Sequence, residues 1–160
     1  WYRQRNGIIL MVVETAKIRD LDELVQIGEA FQKESPLHAR MEYDPEKAKR
    51  FGKHLITADD HCMFLAKNGK KIYGLIGGGL RSMYYSNDKY LSEYIYYVTP
   101  DSRGSLAAKK LIDKFCEWGQ EKNAKAAELG ISTAINPERA DRFMTKVGFK
   151  YMGANFYKEL

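Results

Sequence analysis

Apolar and polar positions change their spacing along the first third of the chain, and each change marks a predicted element. Alternation over Met11–Ile18 predicts a first strand. Helical spacing then predicts a helix that begins at Asp20, with Glu23 in a capping-box-like position, and ends at Glu34. A second helix is predicted to open at Asp44-Pro45, where a cap precedes a proline in the first turn.

Strand patterns fill the middle of the chain. Cys62–Lys67 and Lys71–Leu80 flank Asn68-Gly69, a strong tight-turn signal, and therefore predict a hairpin. Gly77-Gly78-Gly79 lies inside the second of these strands and indicates a bulge or the close approach of another backbone. Leu91–Val98, rich in tyrosine, predicts the next strand.

The last third of the pattern predicts a helix over Gly104–Lys122 and a strand over Ala126–Ser132. A final helix opens at Asn136-Pro137 and stops at Gly148, and Phe149–Leu160 reads as extended. The predicted order is β-α-α-β-β-β-α-β-α-β. Mixed helices and strands at this length indicate an α/β (α+β) fold with a partly antiparallel sheet.

Composition narrows the class of protein. The 160 residues and 18.4 kDa fit one domain, expected over residues 11–160, with Trp1–Leu10 interpreted as a detachable extension before a native start at Met11. Two cysteines are too few for a disulfide scaffold. The apolar runs are too short to span a bilayer and no signal peptide opens the chain, so we expect a soluble, cytoplasmic protein. A net charge of +5 favours binding of an anionic ligand; the alternative is that it reflects only solvated lysines on the surface.

The most informative segment for chemistry runs from Val98 to Ala108, where a strand leads through small residues into a long helix. The first turn of a helix exposes backbone N–H groups without internal partners and carries the positive end of the helix dipole. Gly104 and Ser105 would let a diphosphate approach these groups, and Lys109 or Lys110 could meet further phosphate charge. The alternative is a plain strand-to-helix junction. Neither the Walker pattern nor the dinucleotide GxGxxG pattern is present.

This segment resembles motif A of the GNAT superfamily of N-acetyltransferases. The pattern Arg/Gln-x-x-Gly-x-Gly/Ala after Val-x-Pro is matched at Val98, Pro100, Arg103 and Ala108, whereas Leu106 stands at the middle glycine. Residues 136–149 look like the family's closing helix and Gly-Phe turn, and the predicted hairpin looks like its β2–β3 pair. The resemblance covers residues 16–160 and extends in particular to phage-type members. It implies a mostly antiparallel central sheet flanked by helices.

The resemblance also implies how acetyl-CoA would bind, with no metal. The pantetheine arm would run in a splay between the Leu91–Val98 and Ala126–Ser132 strands, and Leu106 would point into the core. Asn136 would bind the pantetheine amides or serve as a helix cap, and Phe143 would pack on the cofactor or in the core. The pyrophosphate would rest on the N–H groups of Arg103, Gly104, Ser105, Leu106, Ala107 and Ala108.

Catalytic roles follow from the same resemblance. A backbone N–H at or near Val98 is the expected oxyanion donor. Glu93, the one carboxylate within the predicted Leu91–Val98 strand, is the candidate base, acting directly or through water, or is a surface residue. Met144 occupies the position of the family's usual tyrosine acid and cannot donate a proton. Tyr157, Tyr97 or a water molecule are the candidates to replace it.

Other side chains favour structural roles. Cys116 lies at helical spacing among apolar residues, which favours a buried thiol over a nucleophile. Cys62 and His61 are adjacent in a strand and therefore face opposite sides. The three histidines have no metal-ligand spacing.

The acceptor is expected to be an amine of a small molecule or protein, bound near the segment Ser35–Tyr43, and a homodimer is possible. Two other readings remain. One is an acyl-CoA-binding regulatory protein with little catalysis, which the missing tyrosine favours. The other is a basic nucleic-acid-binding module, which is disfavoured because the chain lacks the stacking motif of small sheet-based RNA binders.

Overall fold

A computed structural model describes residues 11–131, 133 and 135–158. The predicted N-terminal extension lies outside the described residues. The fold class is confirmed, since helices and strands alternate as predicted as far as the last helix. The elements, in chain order, are β1 (Val12–Thr15), α1 (Leu21–Glu34), α2 (Pro45–Thr57), β2 (His61–Asn68), β3 (Lys71–Ser82), β4 (Lys89–Val98), α3 (Ala107–Glu121), β5 (Ala127–Glu128) and α4 (Pro137–Lys146).

The sheet follows chain order, β1-β2-β3-β4-β5, and is antiparallel from β1 to β4. β5 runs parallel to β4 and pairs with it at only two positions, Leu91 with Ala127 and Ser92 with Glu128. Beyond Ser92, β4 continues for six residues, five of which pair with β3 and none of which pairs with β5. The predicted strand over residues 126–132 is therefore short, and a splay opens between β4 and the chain that follows β5.

Helices cover both faces of the sheet, because the side chains of each strand alternate between them. Phe64 and Leu91 pack with Phe115 of α3 and Met144 of α4 on one face. A second cluster on the other face joins the sheet to α1 and α2, and it consists of Ala16, Leu24, Leu55, Met63, Leu65, Ile72 and Leu75. Two apolar layers therefore hold the sheet rigidly behind the splay.

The triple glycine in β3 lies beside a bulge in β4. Gly77 pairs with Ile95 and Gly78 pairs with Glu93, so Tyr94 is an extra residue that lacks a partner in β3. A β-carbon on Gly78 would lie 2.2 Å from the Ser92 carbonyl oxygen, which no side chain could tolerate. The sequence predicted a bulge or a close backbone approach; the close approach is confirmed at Gly78, and the bulge lies opposite the glycines, in β4. Because a bulge increases local twist, it turns the second half of β4 away from β5.

Two local predictions were wrong. Asp20 and Glu23 do not form a capping box; Asp20 accepts bonds from the Lys17 N–H at 2.8 Å and from Lys67 Nζ at 2.9 Å, and Glu23 accepts the Ile72 N–H. These two carboxylates therefore bind partners on β2 and β3 and do not cap the helix. Residues 149–158 form no strand. No helix among the described residues is both long enough and apolar enough to cross a bilayer.

Candidate active site

The outer edge of β4 faces the splay with its backbone polar groups. Thr99 N–H donates to the Tyr73 carbonyl of β3 at 2.9 Å. In an antiparallel ladder neighbouring residues point their N–H groups in alternate directions, so the N–H groups of Val98 and Tyr96 point away from β3. In the described part of the chain no strand pairs with that edge beyond Ser92. An extended ligand could therefore lie along residues 96–98.

The loop between β4 and α3 already satisfies half of the amides predicted to bind pyrophosphate. Arg103 N–H donates to the Pro100 carbonyl at 3.4 Å, and Ser105 N–H donates to the Ser102 carbonyl at 3.2 Å. The Ser105 hydroxyl then accepts the Ala107 N–H at 3.2 Å. These three N–H groups serve the turn itself, so they are not available to a ligand in this conformation.

The other three N–H groups, of Gly104, Leu106 and Ala108, have no hydrogen-bond partner in the part of the chain that the structure describes. Gly104 adopts φ +88°, a conformation that side-chain-bearing residues rarely adopt. Leu106 is 68% exposed, so the prediction that it enters the core was wrong. Ala107 and Leu111 fill the core at this end of α3, which turns Leu106 outward.

Positive charge beside this loop comes from α4, which sequence reasoning missed. A β-carbon on Gly104 would lie 3.6 Å from Nη2 of Arg139, an exposed side chain in the first turn of α4. The lysines suggested by the sequence have partners on the protein: Lys109 pairs with Asp113 at 2.6 Å and Lys110 donates to the Met11 carbonyl. The sequence did offer one signal for Arg139: it stands three residues after the helix cap Asn136, in the first turn of α4.

Arg103 faces the protein interior and not the mouth of the loop. Its Nε donates to the Val98 carbonyl at 3.0 Å, and its two terminal nitrogens hold the carboxylate of Glu34 at 2.5 and 2.7 Å. The guanidinium holds the pKa of Glu34 below its usual value. The side chain of Arg103 thus orders the loop instead of meeting a phosphate.

Glu93 lies where β4 and β5 separate. Burial raises the pKa of its carboxyl to about 7, although the Gly130 N–H, which donates to it at 3.2 Å, acts in the opposite direction. The carboxyl lines a groove of about 1340 Å³ bounded by α3, β5, α4 and residues 149–155. A carboxylate with a pKa near neutrality can both take and return a proton at working pH.

Glu93 is far from Val98. Because of the bulge, the segment between them spans only the four-residue step from Gly78 to Gly74 in β3, about 13 Å. One reacting group therefore cannot contact both. Tyr96 is the next residue after the bulge whose N–H points into the splay, and it is nearer to Glu93. The Tyr96 N–H is therefore better placed than the Val98 N–H to act together with Glu93.

The remaining residues of the closing helix have structural partners. Asn136 caps α4 by accepting the Arg139 N–H at 3.3 Å, which accounts for one of its two predicted roles. Phe143 packs against the apolar cluster on the α3 face, and Met144 is buried within it.

The two tyrosines proposed as replacement acids do not approach Glu93. Tyr97 donates its hydroxyl proton to Glu34 at 2.7 Å, and burial beside this carboxylate raises its pKa to about 12. Tyr157 is about half exposed in the C-terminal tail, outside the residues that line the groove.

The thiols are not arranged for nucleophilic catalysis. Burial raises the pKa of Cys62 to about 12 and also raises that of Cys116. Within the described residues no three histidine, cysteine or carboxylate side chains could hold a metal ion.

Solved structures share this fold over nearly the whole chain. One is described as a transcriptional regulator from Bacillus halodurans C-125, with a TM-score of 0.76 and 19% identity over 94% of this chain and 99% of that one. Another is AAC(6')-Iy in complex with the bisubstrate analogue CoA-S-monomethyl-acetylneamine, with a TM-score of 0.76 and 17% identity over 94% and 98%. A third is the aminoglycoside acetyltransferase meta-AAC0020 from an uncultured soil metagenomic sample, in complex with sisomicin, with a TM-score of 0.68 and 20% identity over 94% and 96%. At these identities the likeness shows the fold alone.

Sequence comparison supplies the family. No curated protein sequence matches the chain. The family model described as the acetyltransferase (GNAT) family matches residues 24–149, which include the loop before α3 and the Gly-Phe turn after α4. The chain therefore belongs to the GNAT family of acetyltransferases, as its motifs predicted, and is an N-acetyltransferase that uses acetyl-CoA as cosubstrate.

Proposed function

We propose that this chain transfers an acetyl group from acetyl-CoA directly to a primary amine of a small molecule or a protein, with the diphosphate held at the tip of α3. The observation that carries the proposal is the set of three alternating amides, of Gly104, Leu106 and Ala108, that have no partner in the described chain. They lie at the positive end of a 15-residue helix, beside Arg139.

The chemistry of these donors fits the cosubstrate. Backbone N–H groups and a guanidinium are the donors that bind phosphate oxygens. The exposed edge of β4 at residues 96–98 offers the alternating N–H and C=O groups that the amides of pantetheine could pair with. The loop and the edge are continuous through Val98, so one extended molecule could occupy both.

The acetyl transfer itself has three physical needs: a deprotonated amine, a stabilised oxyanion and a leaving thiolate. In our proposal Glu93 removes the proton, directly or through one water molecule, and the Tyr96 N–H stabilises the oxyanion. Met144 is buried in the core and has no proton to give. We propose Tyr157 as the acid that protonates the leaving thiolate. Its side chain would have to move toward the groove to do so.

The acceptor is proposed to bind against the segment between α1 and α2. This segment is tied back to α1, since Tyr43 donates to the Val25 carbonyl at 2.7 Å and Gln32 Nε2 donates to the His38 and Met41 carbonyls. The solved relatives include enzymes whose acceptors are aminoglycosides, so polyamines of that kind belong in the first test. A homodimer is likewise a proposal.

Titration calorimetry with acetyl-CoA, followed by thiol release in the presence of an amine library, tests the function. The library would contain aminoglycosides, simple polyamines and peptides with free amino groups. We expect saturable binding and thiol release with at least one amine class. Binding without thiol release from any amine would favour the regulatory reading. Nucleic-acid binding that falls steeply with salt and is unaffected by CoA would favour the other alternative.

A further inference from the structure

We propose that Glu34 and Ser35, at the end of α1, are positioning residues that hold the acetyl-CoA site in its binding shape from the opposite side of the splay. The proposal rests on the proposed function. Neither residue touches the unpartnered amides; each acts through another residue.

Glu34 controls the loop through Arg103. The guanidinium donates from both terminal nitrogens to Glu34 and from Nε to the Val98 carbonyl, so each of its three nitrogens has a partner on the protein. Tyr97 adds a third bond to Glu34 at 2.7 Å, and the guanidinium lies 5.5 Å from the centre of the Tyr97 ring. Both side chains of the ion pair are more than two-thirds buried, where such bonds are weakly screened by water.

Arg103 in turn connects the end of β4 to the unpartnered amides at the tip of α3. Its backbone directly precedes Gly104, and its side chain binds Val98 on the edge that faces the splay. Arg103 thus shares the task of spacing the edge of β4 from the tip of α3 with the Ser102 hydroxyl, which donates to the Tyr73 carbonyl at 2.8 Å. In our proposal Glu34 holds the Arg103 side chain in the orientation that this spacing needs.

Ser35 contacts the other side of the splay, the chain that follows β5. It is fully buried, and its hydroxyl donates to the Thr133 carbonyl, beyond β5, at 2.7 Å. The same oxygen accepts the His38 N–H of the segment between α1 and α2. Two adjacent residues thus join the loop, the end of β4 and the chain after β5, so the width of the splay is set before any ligand enters.

Such preorganisation lowers the cost of binding, because the ligand does not have to order the loop. Releasing the loop should therefore weaken binding of acetyl-CoA more than it slows the chemistry. We expect Glu34→Gln and Arg103→Gln each to raise the Kd and KM for acetyl-CoA by about tenfold, with kcat at saturation within about twofold of the original. The double variant should bind acetyl-CoA about as weakly as Arg103→Gln alone, because in our proposal Glu34 acts on the loop only through Arg103.

Asp20→Asn provides the matched control. Asp20 is a buried carboxylate at the opposite end of α1, where it binds Lys67 at 2.9 Å. Its loss should lower the melting temperature about as much as Glu34→Gln does and leave the Kd for acetyl-CoA unchanged.

Calorimetric titration of acetyl-CoA into the four variants, below their melting temperatures, tests the proposal. Unchanged affinity in Glu34→Gln would overturn the positioning role, as would an equal loss in Asp20→Asn. If the unaltered protein binds no acetyl-CoA, the proposed function itself fails, which is a different outcome.

Discussion

The Glu93 carboxylate accepts the Gly130 N–H at 3.2 Å, directly beyond the last β4–β5 pair, Ser92 with Glu128. This bond closes the narrow end of the splay and places the carboxyl at its base. Glu93 therefore has a structural contact as well as its proposed chemical role. A substitution that keeps the contact and removes the basicity separates the two.

Glu93→Gln should lower kcat by about 100-fold or more and leave the Kd for acetyl-CoA unchanged, because a glutamine oxygen still accepts the Gly130 N–H while its amide cannot take a proton. The pH profile gives a second check. With a pKa of about 7, the rate of the unaltered enzyme should rise with pH and level off above neutrality, and the variant should lose that rise. An unaltered rate would remove Glu93 from the mechanism.

The same substitution should stabilise the protein in alkaline conditions. The pKa of Glu93 is higher in the folded state than its ordinary value of 4.5, so the folded state binds more protons and stability falls as pH rises from 4.5 to about 7. Chemical denaturation should therefore show Glu93→Gln to be more stable than the original above pH 7. That advantage should disappear below pH 4.5. A variant less stable at pH 8 would contradict the burial of an ionised carboxylate.

Gly104→Glu should abolish binding of acetyl-CoA. A side chain at φ +88° is strained, and a carboxylate there would repel a diphosphate at the unpartnered amides. Gly69→Glu is the matched control, because Gly69 also has a positive φ, of +60°, and lies in the β2–β3 turn with open space around it.

Both glutamate variants should lose a similar amount of stability, roughly 1–2 kcal/mol, since the backbone strain is of one kind. Only Gly104→Glu should lose binding in a calorimetric titration. Retained affinity in that variant would exclude the loop as the phosphate site.

Met144→Tyr should not restore a catalytic acid. Met144 borders the groove but is only 9% exposed and packs with Phe115 and its neighbours on the α3 face, so a larger polar side chain would overpack the core. We expect a loss of roughly 1–3 kcal/mol in the free energy of unfolding and no increase in kcat. A faster, equally stable enzyme would show that position 144 faces the reaction after all.

Local chemistry made much of this fold predictable. Asn68-Gly69 specified its hairpin, Asp44 capped α2 by accepting the Lys47 N–H, and the glycines of β3 marked a real bulge. The strand that ends at Val98 and the helix pattern that follows it were sufficient to locate the loop between β4 and α3.

Long-range contacts were not predictable from the same patterns. Arg103 matched a motif position, but its partner Glu34 lies 69 residues away and no local spacing connects them. Leu106 was expected in the core because a leucine at the family's middle glycine has to point away from the phosphates. Ala107 and Leu111 occupy the core positions of this turn instead, and Leu106 is exposed. Arg139 approaches Gly104 only because α4 folds back beside α3.

Removal of one backbone amide tests the central claim most directly. Leu106 has φ −74°, which suits proline, and it stands at the cap of α3 where proline is tolerated. Leu106→Pro deletes the N–H, whereas Leu106→Ala shortens the exposed side chain and keeps it. In calorimetric titrations with acetyl-CoA we predict that Leu106→Ala binds like the original and that Leu106→Pro, still folded by circular dichroism, binds at least about tenfold more weakly. Equal affinity in the two variants would contradict the claim that bare amides at the tip of α3 hold the diphosphate.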